Sequence, residues 1–132
     1  MDLEKVFKKG MTREETFLVA EEQAAVHVGS GGSRVLATPW MIAFMERVAF
    51  RLLAAYLPAG ESSVGVLVNI RHLAPTPVGT SVHVQAEISD LAGSKVTFAV
   101  QAWDHVEKIG EGKHQRVVID EARFLRRVEA KG

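Results

Sequence analysis

The chain contains no cysteine among its 132 residues. That absence excludes a thiol nucleophile, a disulfide framework and a cysteine-ligated zinc site. Excess charge is missing too: 16 basic and 16 acidic residues leave a formal net charge of zero. Neither sign is gathered into a block, so attraction to nucleic acid or an anionic membrane is not suggested. The start, Met1-Asp2-Leu3-Glu4-Lys5, lacks the apolar core of a secretion signal. The apolar stretch over residues 39–57 carries Glu46, Arg47 and Arg51, which argues against a membrane span. No linker, low-complexity tract or internal repeat divides the sequence. A single soluble cytoplasmic domain over 1–132 is expected, its core within residues 10–125 and large enough to bury real apolar surface.

What is present begins with one long helix over residues 38–57. Thr38 suits the N-cap and Pro39 the first helical position, while residues 58–60 (Pro-Ala-Gly) stop it. Before it lie a candidate strand at 15–20 and a flexible glycine-serine connection at 29–33, with Val35 and Leu36 as staples at the helix entry. Everything after it reads as strand. Residues 63–73 are rich in Val and Ile and end at the break over 75–79. From 81 to 88 apolar and polar residues alternate, and after a turn at 90–94 the alternation resumes through Trp103. A turn near 104–110 leads to a last strand at about 112–124. Strands joined by short turns predict an antiparallel meander. The order β-α-β-β-β-β, with a helix apolar over most of its circumference, calls for a curved antiparallel sheet wrapped around that helix. This is the α+β hot-dog arrangement; a cone-shaped α+β barrel is the rival, but it usually needs N-terminal helices not found here.

Within the helix, Glu46 stands out. Its neighbours three and four residues away are Ile42, Ala43, Ala49 and Phe50, all apolar, whereas Arg47 and Arg51 share a face that can reach water. A carboxylate among alkyl groups is costly unless paired, hydrogen-bonded or protonated, which makes it a candidate for chemistry. Counting by twos from Val64 through Val66, Val68 and Ile70 places His72 on the face toward the helix. The helix start at Thr38, Pro39 and Trp40 offers free N–H groups and a positive dipole end. A hydroxyl, a carboxylate, an imidazole and an oxyanion-stabilising helix end are the parts needed for acyl transfer. Each also has a plain structural reading. Thr38 serves as an N-cap, Glu46 as a carboxylate held by Arg116 or a tyrosine, and His72 as a satisfied strand-end histidine. His27, His83 and His105 are weaker candidates, His114 at the start of the last strand is given no catalytic role, and no histidine pair has metal spacing, so no metal is expected. The glycines at 29–32 lack the Lys-Ser/Thr that a phosphate loop requires.

Thr38, Glu46 and His72, separated by 8 and 26 residues, resemble the catalytic trio of the fluoroacetyl-CoA thioesterase family of hot-dog proteins. The run Val35-Leu36-Ala37-Thr38-Pro39-Trp40-Met41 is similar to that family's pattern, as are Met45-Glu46 and the stretches 56–65, 75–79 and 109–119. The resemblance covers roughly residues 10–125. It implies hydrolysis of a short acyl-CoA, with the CoA thioester as substrate and no cofactor. Glu46 would be general base, or nucleophile through a transient anhydride. His72 would shuttle protons to the departing thiolate, and Thr38 would orient Glu46 or the substrate. Gly65 and Arg116 are the implied substrate-binding residues, Gly65 where the acyl group nears the backbone and Arg116 pairing a carboxylate; Asn69 is taken with them as a polar group near His72, where the family has a small, less polar residue. A homodimer with sites at the subunit interface is implied as well, with a tetramer as a further packing. The family's apolar lid of phenylalanines before the helix has no counterpart here, since residues 28–33 hold no aromatic. A thioesterase with a small acyl preference, not one selective for fluoroacetate, is therefore expected.

Two other functions compete with it. A hot-dog hydratase or dehydratase typically carries an Asp and a His near the helix start, and nothing like that lies between 35 and 45. A non-catalytic acyl-CoA-binding module would have little reason to keep Glu46 in an apolar setting.

Overall fold

In the computed structural model, which describes residues 2–132, the sequence's long apolar run becomes the helix α2, Thr38–Ala54. Met41, Phe44, Met45, Val48, Ala49, Leu52 and Leu53 recur at three- and four-residue steps and are buried along one side. The helix ends three residues earlier than the sequence suggested, because residues 55–57 relax into a turn ahead of Pro58. Its N-cap is Ala37, which has extended backbone and makes no side-chain cap, so Thr38 is already helical. That corrects the expectation that Thr38 caps the helix and frees its hydroxyl for another partner.

Five antiparallel strands wrap this helix: β1 (Thr12–Leu18), β2 (Glu61–His72), β3 (Ser81–Ala92), β4 (Lys95–Trp103) and β5 (Lys108–Asp120). The clean alternation read on β3 and β4 holds. Val82, Val84, Ala86 and Ile88, then Val96, Phe98, Val100 and Ala102, all face α2 and are buried. Each of the larger side chains contributes about 1.5–3 kcal/mol by leaving water. The sheet order is β1-β3-β4-β5-β2, so only β3, β4 and β5 form the expected meander. β2 does not pair with β3; the connection over 73–80 carries the chain across, and β2 closes the far edge against β5.

β2 holds the main departure in side-chain direction. Its register with β5 shifts between Gly65 and Leu67, leaving Val66 as a bulge. A bulge inserts one residue and reverses the alternation beyond it. Ser63 and Gly65, not Val64 and Val66, therefore face α2 on the first half of the strand, opposite Val118 and Arg116. Past the bulge, Val68, Ile70 and His72 lie on the inner side as expected, opposite His114, Gly112 and Gly110. Val66 is 53% exposed.

Two helices went unforeseen. The short α1 (Ala25–Val28) precedes the glycine-serine turn. At the C-terminal end, the strand expected to run to 124 stops at Asp120, whose carboxylate accepts the Arg123 N–H at 3.0 Å and starts α3, Glu121–Glu129.

Candidate active site

Facing the bulge from α2 is Glu46. Its expected apolar enclosure is only partial: the side chain is 43% exposed, because the strand opposite presents Gly65 at that level. A methyl group on Gly65 would lie 2.8 Å from Glu46 Oε2, so the absence of a side chain is what admits the carboxylate. Glu46, Gly65, Val66, Leu67, Val68 and His114 line an open cleft there.

The wall behind Glu46 is built by β5. Arg116 is almost fully buried, its Nη1 3.7 Å from Glu46 Oε2. Its Nε–H donates to Ser63 Oγ at 2.9 Å and its Nη2 to the Ser63 carbonyl at 3.1 Å. The guanidinium also lies over Phe50, 5.5 Å from the ring centroid. Burial lowers the Arg116 pKa, with Glu46 pulling the other way; a guanidinium nevertheless remains charged. The structural reading of Glu46 as a carboxylate held by Arg116 is thus part of the observed geometry.

His114, given no role from the sequence, belongs to the same wall. Its Nδ1 lies 2.8 Å from the carbonyl of Leu67 and must donate to it. Nε2 is then free to accept from Arg116 Nη1 at 3.1 Å. These two bonds assign a neutral ring with the proton on Nδ1. Burial, chiefly, holds the His114 pKa below its usual value; the Leu67 carbonyl opposes this and Arg116 adds to it. Ser63 is the other contributor missed. The signal for His114 was the parity of β5, in which it shares a face with Gly112 and Arg116; Ser63 lies on β2, where the bulge hid its direction.

Thr38 and His72 meet at the other end of the helix, where Thr38 Oγ1 is 2.7 Å from His72 Nδ1. The opposite ring nitrogen, Nε2, is buried without a hydrogen-bond partner. Burial is the main cause lowering the His72 pKa; the Ala74 backbone opposes it without giving Nε2 a bond of ordinary geometry. This pair lines a second cleft with Val35, Leu73, Ala74 and Pro75. The helix end is less generous than expected: Pro39 has no N–H and Trp40 donates to the Ala37 carbonyl. Asn69 is exposed on β2 and hydrogen-bonds none of these side chains.

Within one chain, then, the predicted residues form two groups. Glu46, Gly65 and Arg116 cluster at the bulge, and Thr38 and His72 pair at the start of α2. Eight residues of helix separate Thr38 from Glu46, a rise of about 12 Å. Among the described residues no group of three His, Asp or Glu side chains is placed to hold a metal ion. Among the same residues no helix is long and apolar enough to cross a membrane.

A five-stranded antiparallel sheet around one central helix, with a carboxylate on that helix facing a glycine, defines a hot-dog protein of the acyl-transfer kind. Known proteins agree. The fluoroacetyl-CoA-specific thioesterase family matches residues 19–122. The fluoroacetyl-CoA thioesterase of Streptantibioticus cattleyicolor is 39% identical over 97 residues, 74% of this chain and 70% of that protein. A crystal structure of the fluoroacetyl-CoA thioesterase FlK superposes with a TM-score of 0.90 at 32% identity, covering 96% of this chain and 98% of that one. A hot-dog-like protein from Thermanaerovibrio acidaminovorans matches in fold, with a TM-score of 0.92 at 24% identity over 99% and 97% of the two chains. The chain belongs to the fluoroacetyl-CoA-specific thioesterase family, and by that membership it is a thioester hydrolase.

Proposed function

We propose that this protein hydrolyses a small acyl-CoA to the free acid and CoA, with Glu46, His72 and Thr38 as its working groups. The observation that carries the reading is Glu46, a carboxylate set against the bare backbone of Gly65 at the floor of an open cleft. A thioester carbonyl laid on that glycine meets the carboxylate with no side chain between them. As general base, Glu46 takes a proton from water while the water oxygen bonds to the carbonyl carbon. Collapse of the tetrahedral intermediate breaks the C–S bond. His72, oriented by the Thr38 hydroxyl, takes up the proton that Glu46 removed from water and, as an imidazolium, gives it to the departing thiolate, which leaves Glu46 free for the next turnover. In the alternative route Glu46 itself bonds to the carbonyl carbon, expels the thiolate and forms an anhydride that water then opens. Label found in Glu46 after a single turnover in H₂¹⁸O requires the anhydride route with water attacking the Glu46 carbonyl.

Both routes need the two groups of residues to meet, and a homodimer supplies the means. β2 is an unpaired sheet edge whose Val66, Leu67 and Val68 are exposed. Such an edge is a template for pairing with a second copy. Two-fold pairing of β2 with its counterpart brings one protomer's bulge toward the other's strand end, where Thr38 and His72 lie. Arg116 holds Glu46 in place, and Asn69, exposed next to Val68 on the pairing strand, offers the substrate a polar contact. With no aromatic in 28–33, the enzyme accepts small acyl groups without selecting fluoroacetate. A cytoplasmic location suits a CoA ester as substrate.

The test is release of free CoA from a series of acyl-CoAs, acetyl through long-chain, with Glu46→Gln and His72→Ala beside the wild type. Each variant is expected to lose about 10² or more in turnover, the usual scale for an acid–base group. Full activity in either would overturn this assignment, and binding of CoA esters without turnover in the wild type would make the protein a binder.

A further inference from the structure

The geometry points to a second recognition site: we propose that the groove along α3 holds the 3′-phosphorylated ADP end of the CoA thioester. The proposal rests on the thioesterase reading above, and concerns a part of the molecule that reading does not use. α3 leaves β5 at Asp120 and packs against the end of that strand. Two adjoining clefts flank it. One, of about 460 Å³, lies between Val118, Ile119, Arg123, Phe124 and Arg127; the other, of about 290 Å³, continues past Phe124 and Arg127 to Lys131.

Charge and spacing give this groove its chemistry. Arg123 and Arg127, four residues apart, share one face of α3, and Lys131 follows just past the helix end at the border of the same groove. Among the described residues none of the three forms an ion pair, although most other arginines of the protein are matched to a carboxylate or an aromatic ring. Asp120, which also borders the groove, is engaged by the Arg123 N–H. Phe124, half-buried between the two clefts, offers an aromatic face beside the cationic row. Unpaired guanidinium groups and an ammonium flanking an aromatic ring suit phosphates flanking a purine.

The groove also lies at the right reach. Val118 in its floor is opposite Ser63, and Ser63 accepts from Arg116, which pairs with Glu46. From Arg116 to Asp120 is four residues of extended strand, about 13 Å. A pantetheine arm bridges a distance of that order, leaving its nucleotide at α3 while the thioester lies at Gly65.

The experiment compares wild type with Arg123→Glu/Arg127→Glu on two thioesters of the same acyl group, the CoA ester and the N-acetylcysteamine ester, which lacks the nucleotide. The ratio of kcat/KM for the CoA ester to that for the short ester is expected to fall about tenfold or more, through KM, with the loss of two charge-assisted contacts. An unchanged ratio overturns the proposal, whether both substrates are affected equally or neither is. Calorimetric titration with 3′,5′-ADP gives a reading independent of hydrolysis. Wild type binds it and the variant does not; absence of binding to wild type overturns the site. If 3′,5′-ADP binds through these arginines but no thioester is hydrolysed, the catalytic reading fails and the groove stands. Light scattering completes the set: if the variant changes oligomeric state, α3 is a subunit contact and the proposal falls.

Discussion

At the scale of single residues, Gly65 decides whether Glu46 has a usable position. Gly65→Ala places a methyl 2.8 Å from Glu46 Oε2 and 3.2 Å from His114 Cε1. The carboxylate is the far end of a flexible side chain and moves aside, so the fold survives while the catalytic geometry does not. We expect turnover to drop by about 10-fold or more, as for other misplaced catalytic groups, with a thermal midpoint close to wild type; a variant of full activity would show that Glu46 works from elsewhere. His114 acts on stability instead. His114→Phe keeps the packing on Phe98 but strands the Leu67 carbonyl and one Arg116 donor. Leaving buried partners unsatisfied costs about 1–3 kcal/mol each, measurable by urea denaturation. Its pH dependence has a definite sign. Burial lowers the folded pKa of both His72 and His114, so the unfolded chain binds more protons once pH falls below about 6.5. Stability is therefore full above that value and is lost on acidification toward the folded pKa values. His114→Phe removes part of that slope, so its stability deficit relative to wild type should shrink between pH 7 and pH 5. Glu46 and His72 stood out in the sequence as candidates because each is a polar group among apolar neighbours, and Thr38 entered through its place at the helix start and the family resemblance. His114 was not, since its bond goes to the backbone carbonyl of Leu67, beside a bulge that no residue type announces.

The elements divide in the same way between what periodicity announces and what it hides. α2, β3 and β4 were legible because burial on one side imposes a period of 3.6 or 2 on the residues. β2 was legible as a strand and misread in direction, because one extra residue at Val66 reverses every side chain on one side of it. The pairing of β2 with β5 was likewise invisible, since alternation reports which face is buried and not which strand lies alongside. α3 was signalled by Asp120 as an N-cap, but the run Val117, Val118, Ile119 ahead of it carried the strand reading too far. The contact of β2 with β5 is close: a methyl on Gly112 would lie 2.1 Å from the Asn69 carbonyl oxygen and 2.8 Å from Ile70 Cα. Both are backbone atoms that cannot move without separating the strands. Gly112→Ala is accordingly expected to destabilise the protein by at least the 1–3 kcal/mol typical of overpacking, and a midpoint of thermal unfolding equal to wild type would contradict the pairing. Gly110→Ala offers the contrast within the same strand, since it meets mainly the flexible end of Met41 and should be milder.

At the scale of the whole molecule, the separation of Glu46 from the Thr38–His72 pair becomes a statement about assembly. One chain holds the two groups of residues about 12 Å apart along α2, and β2, an exposed sheet edge, carries Val66, Leu67 and Val68. If β2 pairs with β2 of a second copy, each complete site takes Glu46 from one protomer and His72 from the other. Mixing tests this directly. Glu46→Gln and His72→Ala are each inactive alone, but subunit exchange between them yields heterodimers in which one site joins two mutated residues and the other joins two intact ones. With random exchange half of the dimers are mixed and each has one working site, so activity should recover to about one quarter of wild type. A charge at the centre of the edge, Val66→Lys, should abolish both dimerisation and activity while leaving the fold intact by circular dichroism, because Val66 points away from α2. Recovery on mixing fixes the site as shared between subunits. No recovery from a mixture shown to contain heterodimers would mean that Glu46 and His72 of the same chain work together, and the two clefts of the protomer would then have to be joined by movement within it.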